Sequence, residues 1–89
     1  MIKHHTTIIN KLGLHARAAA KLAKTSSQFS SSIKIGSQHS SVDGKSVMSL
    51  MLLAASKGTT LEIICDGKDE DFALEAIKNL IEDRFGEEE

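Results

Sequence analysis

Proline, tryptophan and tyrosine are all missing from these 89 residues, and only three phenylalanines are present. With aromatics at 3% there is no platform on which unpaired nucleobases could stack, which weighs against single-stranded nucleic acid as a ligand. A single cysteine, Cys65, cannot close an internal disulfide, so packing alone must hold the fold. No apolar run reaches the roughly 18 residues that a membrane-spanning helix needs, and direct membrane insertion is not expected. The opening MIKHHTT lacks the apolar core of a secretory signal, which makes the cytoplasm the expected location. Length for a second core is also lacking. One domain over residues 1–89 is expected, burying roughly 60–70% of its unfolded surface.

What is present is the composition of an ordinary globule: 40% apolar and 26% charged residues argue against a disordered tail or a fibre. The formal net charge of −1 conceals a polarity along the chain. Residues 1–57 carry eight Lys or Arg against one acid, Asp43, for +7; residues 58–89 carry three bases against eleven acids, for −8. The first part is therefore suited to an anionic ligand or an acidic partner. Its bases are spaced singly and not clustered, so nucleic acid is not the expected partner.

Periodicity divides the chain into seven elements. Ile2 to Ile9 is rich in β-branched residues and reads as a strand, with Ile2, His4, Thr6 and Ile8 on one side. Asn10 to Gly13 is a turn, and the alanines from Ala16 onward, with Leu22, predict a helix to about Ser27. Ile33 and Ile35 alternate with Ser32 and Lys34 as a half-buried strand. Gln38 to Val42 returns as a second, completing a hairpin. After Asp43-Gly44, Ser46 caps a short apolar helix through Leu53, which Lys57-Gly58 is expected to close. Thr59 to Asp66 alternates as a fourth strand. A last helix from about Asp69 to Phe85 carries Ala73, Ile77, Leu80 and Ile81 at helical spacing, and Glu87 to Glu89 are expected to fray. The order βαββαβα predicts an α+β fold: a four-stranded, mostly antiparallel sheet with helices on one face.

Among the four histidines, His4 and His5 are adjacent on a strand and point to opposite sides, so they cannot share a metal; no metal site is expected. His39 belongs to a polar hairpin, where solvation accounts for it. His15 is different. It follows a glycine turn and directly precedes the alanine-rich helix, where the leading N–H groups lack internal partners and carry partial positive charge. Such an end binds anions, phosphate among them, and disfavours the imidazolium form, leaving a ring nitrogen free to act as a nucleophile. Arg17 lies two residues on, and its planar fork can pair with phosphate oxygens. Together they make a reversible phosphohistidine plausible, although a histidine near a helix start is commonly a plain surface residue. Ser46 is accounted for by capping alone, yet a phosphoryl group there would meet the same favourable amides. Val47, Met48, Leu50, Met51, Leu52 and Leu53 are more apolar groups than one face of a short helix can bury, so some must remain exposed. Flexible methionine at a surface suits docking.

The stretch GLHARAAAKL (Gly13 to Leu22), the stretch GKSVMSLMLLAASKG (Gly44 to Gly58) and the acidic last helix resemble the HPr phosphocarrier family of the bacterial phosphoenolpyruvate-dependent phosphotransferase system. The resemblance runs in order over the whole chain. It implies an open-faced β-sandwich of four antiparallel strands with three helices on one side. It further implies that phosphorylated enzyme I passes its phosphoryl group to Nδ1 of His15, that Arg17 steadies the oxygens, and that the group goes on to IIA domains of sugar permeases. Such a chain relays a phosphoryl group without cofactor or metal and is expected to be a monomer. Ser46 matches the serine phosphorylated by an HPr kinase/phosphorylase, a modification that hinders docking to enzyme I. Val47, Met48 and Met51 fall in the implied docking patch, with Ala20 and Lys24 on the neighbouring helix. One position departs from the family's pattern: Ala18 stands where most members carry proline after the arginine, which restores one amide to the first turn. The alternative is a regulatory interaction module, similar to the family's nitrogen-related branch NPr or switched at Ser46, that is not engaged in sugar transport.

Overall fold

β-Branched and alternating segments form the four strands β1 (Ile2–Thr7), β2 (Ser32–Ser37), β3 (Ser40–Asp43) and β4 (Thr60–Asp66). The helices are α1 (Ala16–Ser26), α2 (Val47–Leu52) and α3 (Glu70–Glu82). The structure is a computed structural model and describes residues 1–37 and 40–89. The expectations that the second hairpin strand begins at Gln38 and that His39 is solvated lie outside the described residues.

The strands pair antiparallel throughout in the order β1-β4-β2-β3. Register follows the period of two. Ile33, Ile35, Leu61, Ile63 and Cys65 are buried on the inner face, while Lys34, Thr60 and His5 point outward. His5 meets Glu62 at 3.2 Å across the β1–β4 pair, and His4 is half-buried on the opposite side. The inner face is covered by helices: α3 lies against β1 and β4, α2 reaches β3, and α1 packs between α2 and α3. Small residues on α1 permit that packing, since Ala18, Ala19 and Ala23 are buried beside Leu22. Ile8, Leu50, Ala73, Ile77, Ile81 and Phe85 complete a single core. The expected fold class is therefore the observed one.

Two helix ends differ from expectation. Lys57-Gly58 does not close α2. That helix stops at Leu52, and Ala54 takes a left-handed backbone (φ 50°). The chain leaves the helix there because its next residues are bound elsewhere: the Leu14 N–H donates to the Ala55 carbonyl at 2.8 Å. Likewise, the Gly58 N–H donates to the Ile8 carbonyl at 2.8 Å, and the Ile8 N–H to the Thr59 carbonyl at 2.9 Å. Likewise α3 ends at Glu82 and not at Phe85. Arg84 and Phe85 both adopt φ 56°, which turns the chain back across α1 in a short 3₁₀ turn and leaves Phe85 fully buried. Each left-handed residue costs on the order of 1 kcal/mol, which burial of the ring, worth about 2–3 kcal/mol, offsets. The residues beyond do not fray. The Lys21 ammonium donates to the Phe85 carbonyl at 2.6 Å, and the Lys11 N–H donates to the Glu89 carbonyl at 2.9 Å.

Gly13 is a position that requires glycine. Its φ is +67°, and an added Cβ would stand 2.6 Å from the Ala55 carbonyl oxygen and 2.8 Å from Ser56 Cα. Gly13→Ala is expected to lower stability by about 2 kcal/mol or more, read as a reduced urea midpoint; an unchanged midpoint would refute the close approach. Elsewhere, Asp69 clamps the start of α3 to the residues that lead into β2. It accepts from the Ser31 hydroxyl and from the Ser30 and Ser31 N–H groups, the last two at 2.9 Å. The Ser31 hydroxyl, followed by the Ser30 amide, lowers its carboxyl to about 2. Because the folded state holds the ionised form, this contribution is complete above the unfolded value of about 4 and disappears as pH falls through about 2. Asp69→Asn should flatten the loss of stability over that acid window in pH-dependent denaturation, and parallel curves for the two proteins would exclude the clamp.

Candidate functional site

His15 is the N-cap of α1. Its backbone is extended (φ −79°, ψ −179°), its carbonyl accepts the Ala19 N–H at 2.8 Å, and its ring Nδ1 accepts the Arg17 N–H at 3.3 Å. The ring therefore caps the helix as a serine hydroxyl would, with the Nδ1 lone pair turned toward the amide-rich end. The N–H groups ahead of Ala19 are those that a helix leaves without internal partners, and they open toward the same ring. Ala18 leaves this start intact. Its methyl is fully buried in the core, and the helix still begins at Ala16.

The ring's other nitrogen, Nε2, contacts the Glu87 carboxylate, which the sequence pattern did not reveal. Glu87 is itself held: its Oε1 accepts from Asn10 Nδ2 at 2.9 Å, and the same amide donates to the Gly13 carbonyl at 2.8 Å. Asn10 is fully buried, and its Oδ1 has no partner, a cost of about 1–3 kcal/mol. Turning the amide over would set oxygen against two oxygens, so the orientation is determined. The Asn10 amide, and after it the His15 ring, hold the Glu87 carboxyl below its ordinary range, so it is ionised at neutral pH. Asn10 in a turn and Glu87 in an acidic run carry no local pattern that marks them as neighbours. Only the left-handed turn at residues 84–85 brings them together.

The resulting cleft is lined by Lys11, Leu12, His15, Arg17, Glu87 and Glu88. Arg17 is exposed beside the ring, with Ala20 and Lys24 exposed further along α1. α2 packs next to α1 and exposes Val47, Met48, Met51 and Leu52, with Met48 (74%) and Leu52 (81%) the most accessible. Leu12, on the turn before His15, is exposed as well. Expected docking residues on two elements thus lie on adjoining helices; Leu52 extends the apolar surface of α2, and Leu12 adds an exposed apolar side chain to the cleft at His15. Ser46 caps α2: its Oγ accepts the Ser49 N–H at 3.2 Å.

A histidine nitrogen aimed at a helix start, beside an arginine and an apolar patch, is geometry suited to taking and returning a phosphoryl group. Residues 2–83 match the family described as "PTS HPr component phosphorylation site". The chain belongs to the HPr family. Relatives of the family include the phosphocarrier protein HPr of Neisseria meningitidis, 52% identical over 89 residues with both chains fully covered. Another is HPr of Xylella fastidiosa, 48% identical with 99% of each chain covered. Among solved structures, HPr-C-His from Thermoanaerobacter tengcongensis superposes with a TM-score of 0.96 at 42% identity, covering both chains completely. No helix is long and apolar enough to cross a membrane among the described residues.

Because Ser46 caps a helix of only six residues, its hydroxyl carries a large share of that helix's order. Ser46→Ala is expected to cost about 1 kcal/mol in chemical denaturation. Equal midpoints for the two proteins would show that the cap contributes nothing.

Proposed function

We propose that His15 Nδ1 is the atom that takes the phosphoryl group from phosphorylated enzyme I and hands it to a IIA domain. The observation that carries this reading is the orientation of Nδ1 toward the start of α1, where the Arg17 N–H meets it. A member of the HPr family, the chain is a phosphocarrier of the phosphotransferase system. In the transfer, the Nδ1 lone pair attacks phosphorus in line with the donor nitrogen. The new N–P bond forms as the old one breaks, and the donor ring keeps the electron pair. The leading amides of α1 and the Arg17 guanidinium then face the phosphoryl oxygens, opposing their charge with fixed dipoles and a planar cation. One phosphohistidine replaces another, so the exchange runs in either direction with a small free-energy change, as a shuttle requires.

The whole chain, residues 1–89, acts as a single HPr-like domain, a cytoplasmic monomer. Docking uses the apolar surface of Val47, Met48 and Met51 with Ala20 and Lys24 beside it, and the basic α1 meets acidic partner surfaces. Phosphorylation of Ser46 by an HPr kinase/phosphorylase would place a dianion at the border of that patch. Desolvating it against enzyme I is unfavourable, while the α2 amides tolerate it, so docking is switched off without unfolding. A regulatory module working through Ser46 alone would leave the arrangement around His15 without a purpose.

Incubation with enzyme I and labelled phosphoenolpyruvate should introduce one acid-labile phosphate per chain. His15→Ala should abolish it, and Ser46→Ala should retain it. Persistence of the acid-labile label in His15→Ala would overturn the assignment.

A further inference from the structure

We propose that Glu87 is a positioning residue of the phosphoryl relay, keeping the His15 proton on Nε2 so that Nδ1 is the free nucleophile. This rests on the reading of His15 given above. A neutral imidazole carries its proton on either nitrogen, and only the unprotonated one can attack phosphorus. An ionised carboxylate can only accept, so the contact between Glu87 and Nε2 demands a proton there. The Arg17 N–H can only donate, so its contact demands a lone pair on Nδ1. Both demands select the same tautomer.

The carboxylate is built in and not incidental. The Glu87 side chain is 13% exposed and the His15 side chain 27%. The fully buried Asn10 amide fixes one carboxylate oxygen and leaves the other for the ring. The backbone on either side of Glu87 is anchored, through Phe85 in the core, Lys21 on the Phe85 carbonyl and Lys11 on the Glu89 carbonyl. Glu87 also lies beyond residues 2–83, the span that the family match covers. During transfer the Nε2 proton does not leave. As Nδ1 donates its pair to phosphorus, the ring gains positive charge, which the carboxylate faces; when the acceptor's lone pair bonds to phosphorus, the N–P bond breaks with its electron pair returning to Nδ1, and that charge disappears. A carboxylate behind a histidine serves the same orienting purpose in hydrolytic triads.

The arrangement makes an unusual demand on the isosteric variant. In Glu87→Gln, the Asn10 donor will claim the introduced carbonyl, which turns the introduced NH2 toward His15 Nε2. That NH2 can only donate, so the proton is driven to Nδ1 and the nucleophile is blocked. Glu87→Ala merely releases the preference. The full-length protein labelled with 15N-histidine distinguishes the two tautomers by NMR at a pH where His15 is neutral. Acceptance of phosphate should be timed with two donors: phosphorylated enzyme I, and phosphoramidate, which needs no docking surface. Wild type should show the Nε2–H form. Glu87→Ala should show mixed tautomers and accept about tenfold more slowly from both donors, with Glu87→Gln slower still and its proton on Nδ1. Wild-type tautomer and rates in both variants would overturn the proposal. So would equal slowing of both with the Nε2–H form retained, since that marks a merely structural contact. His15→Ala run alongside separates the cases: loss of acid-labile label there upholds the relay reading even where the Glu87 variants fail, and its persistence defeats both.

Discussion

The turn between β1 and α1 is held by main-chain hydrogen bonds to the segment that follows α2, and the site depends on that attachment. Ile8, Leu14, Ala55, Gly58 and Thr59 exchange the N–H and carbonyl groups that would otherwise be left unpaired where two elements end. Gly13 permits the two backbones to approach within contact distance. With Leu14 fixed, His15 has no freedom of placement. It must begin α1, and its ring must lie at the helix start. A surface histidine thereby acquires a defined orientation without being buried.

The charge polarity of the chain has a spatial counterpart. Three bases of the first part, Arg17, Lys21 and Lys24, lie exposed on α1, Arg17 beside the ring and Lys24 further along, while the acids of α3 lie on the helix that packs over β1 and β4. One acidic segment crosses that division. Residues 87–89 return to the basic end and place a carboxylate behind the imidazole. The ring thus lies between two opposed features: the positive end of α1 at Nδ1 and a carboxylate at Nε2.

The strands and the cores of the helices were legible because each obeys one period. Leu61, Ile63 and Cys65 face inward at a spacing of two, and Ala73, Ile77 and Ile81 do so at helical spacing. The helix ends were not. Lys57-Gly58 has the composition of a C-cap, but the segment before it was already bound to the β1–α1 turn, forty residues away in sequence. Phe85 continues the i, i+4 series of Ile77 and Ile81, so nothing local announces the break at Arg84. The ring reaches the core by a left-handed turn whose cost is recovered only by its burial there.

The placement of His15, Arg17 and Ser46 at helix starts could be read from the chain alone, because a histidine or serine immediately before a helix has one set of amides within reach, whatever the rest of the fold does. That is a local consequence of helix geometry. The companions of His15 were decided by tertiary structure. Asn10, Leu12 and Glu87 come from turns and a returning segment, where the backbone repeats no period and hydrogen-bonding partners are chosen by whatever surface the folded core presents. Local sequence therefore placed the histidine at the start of α1, and the closed fold brought the Glu87 carboxylate to its other ring nitrogen.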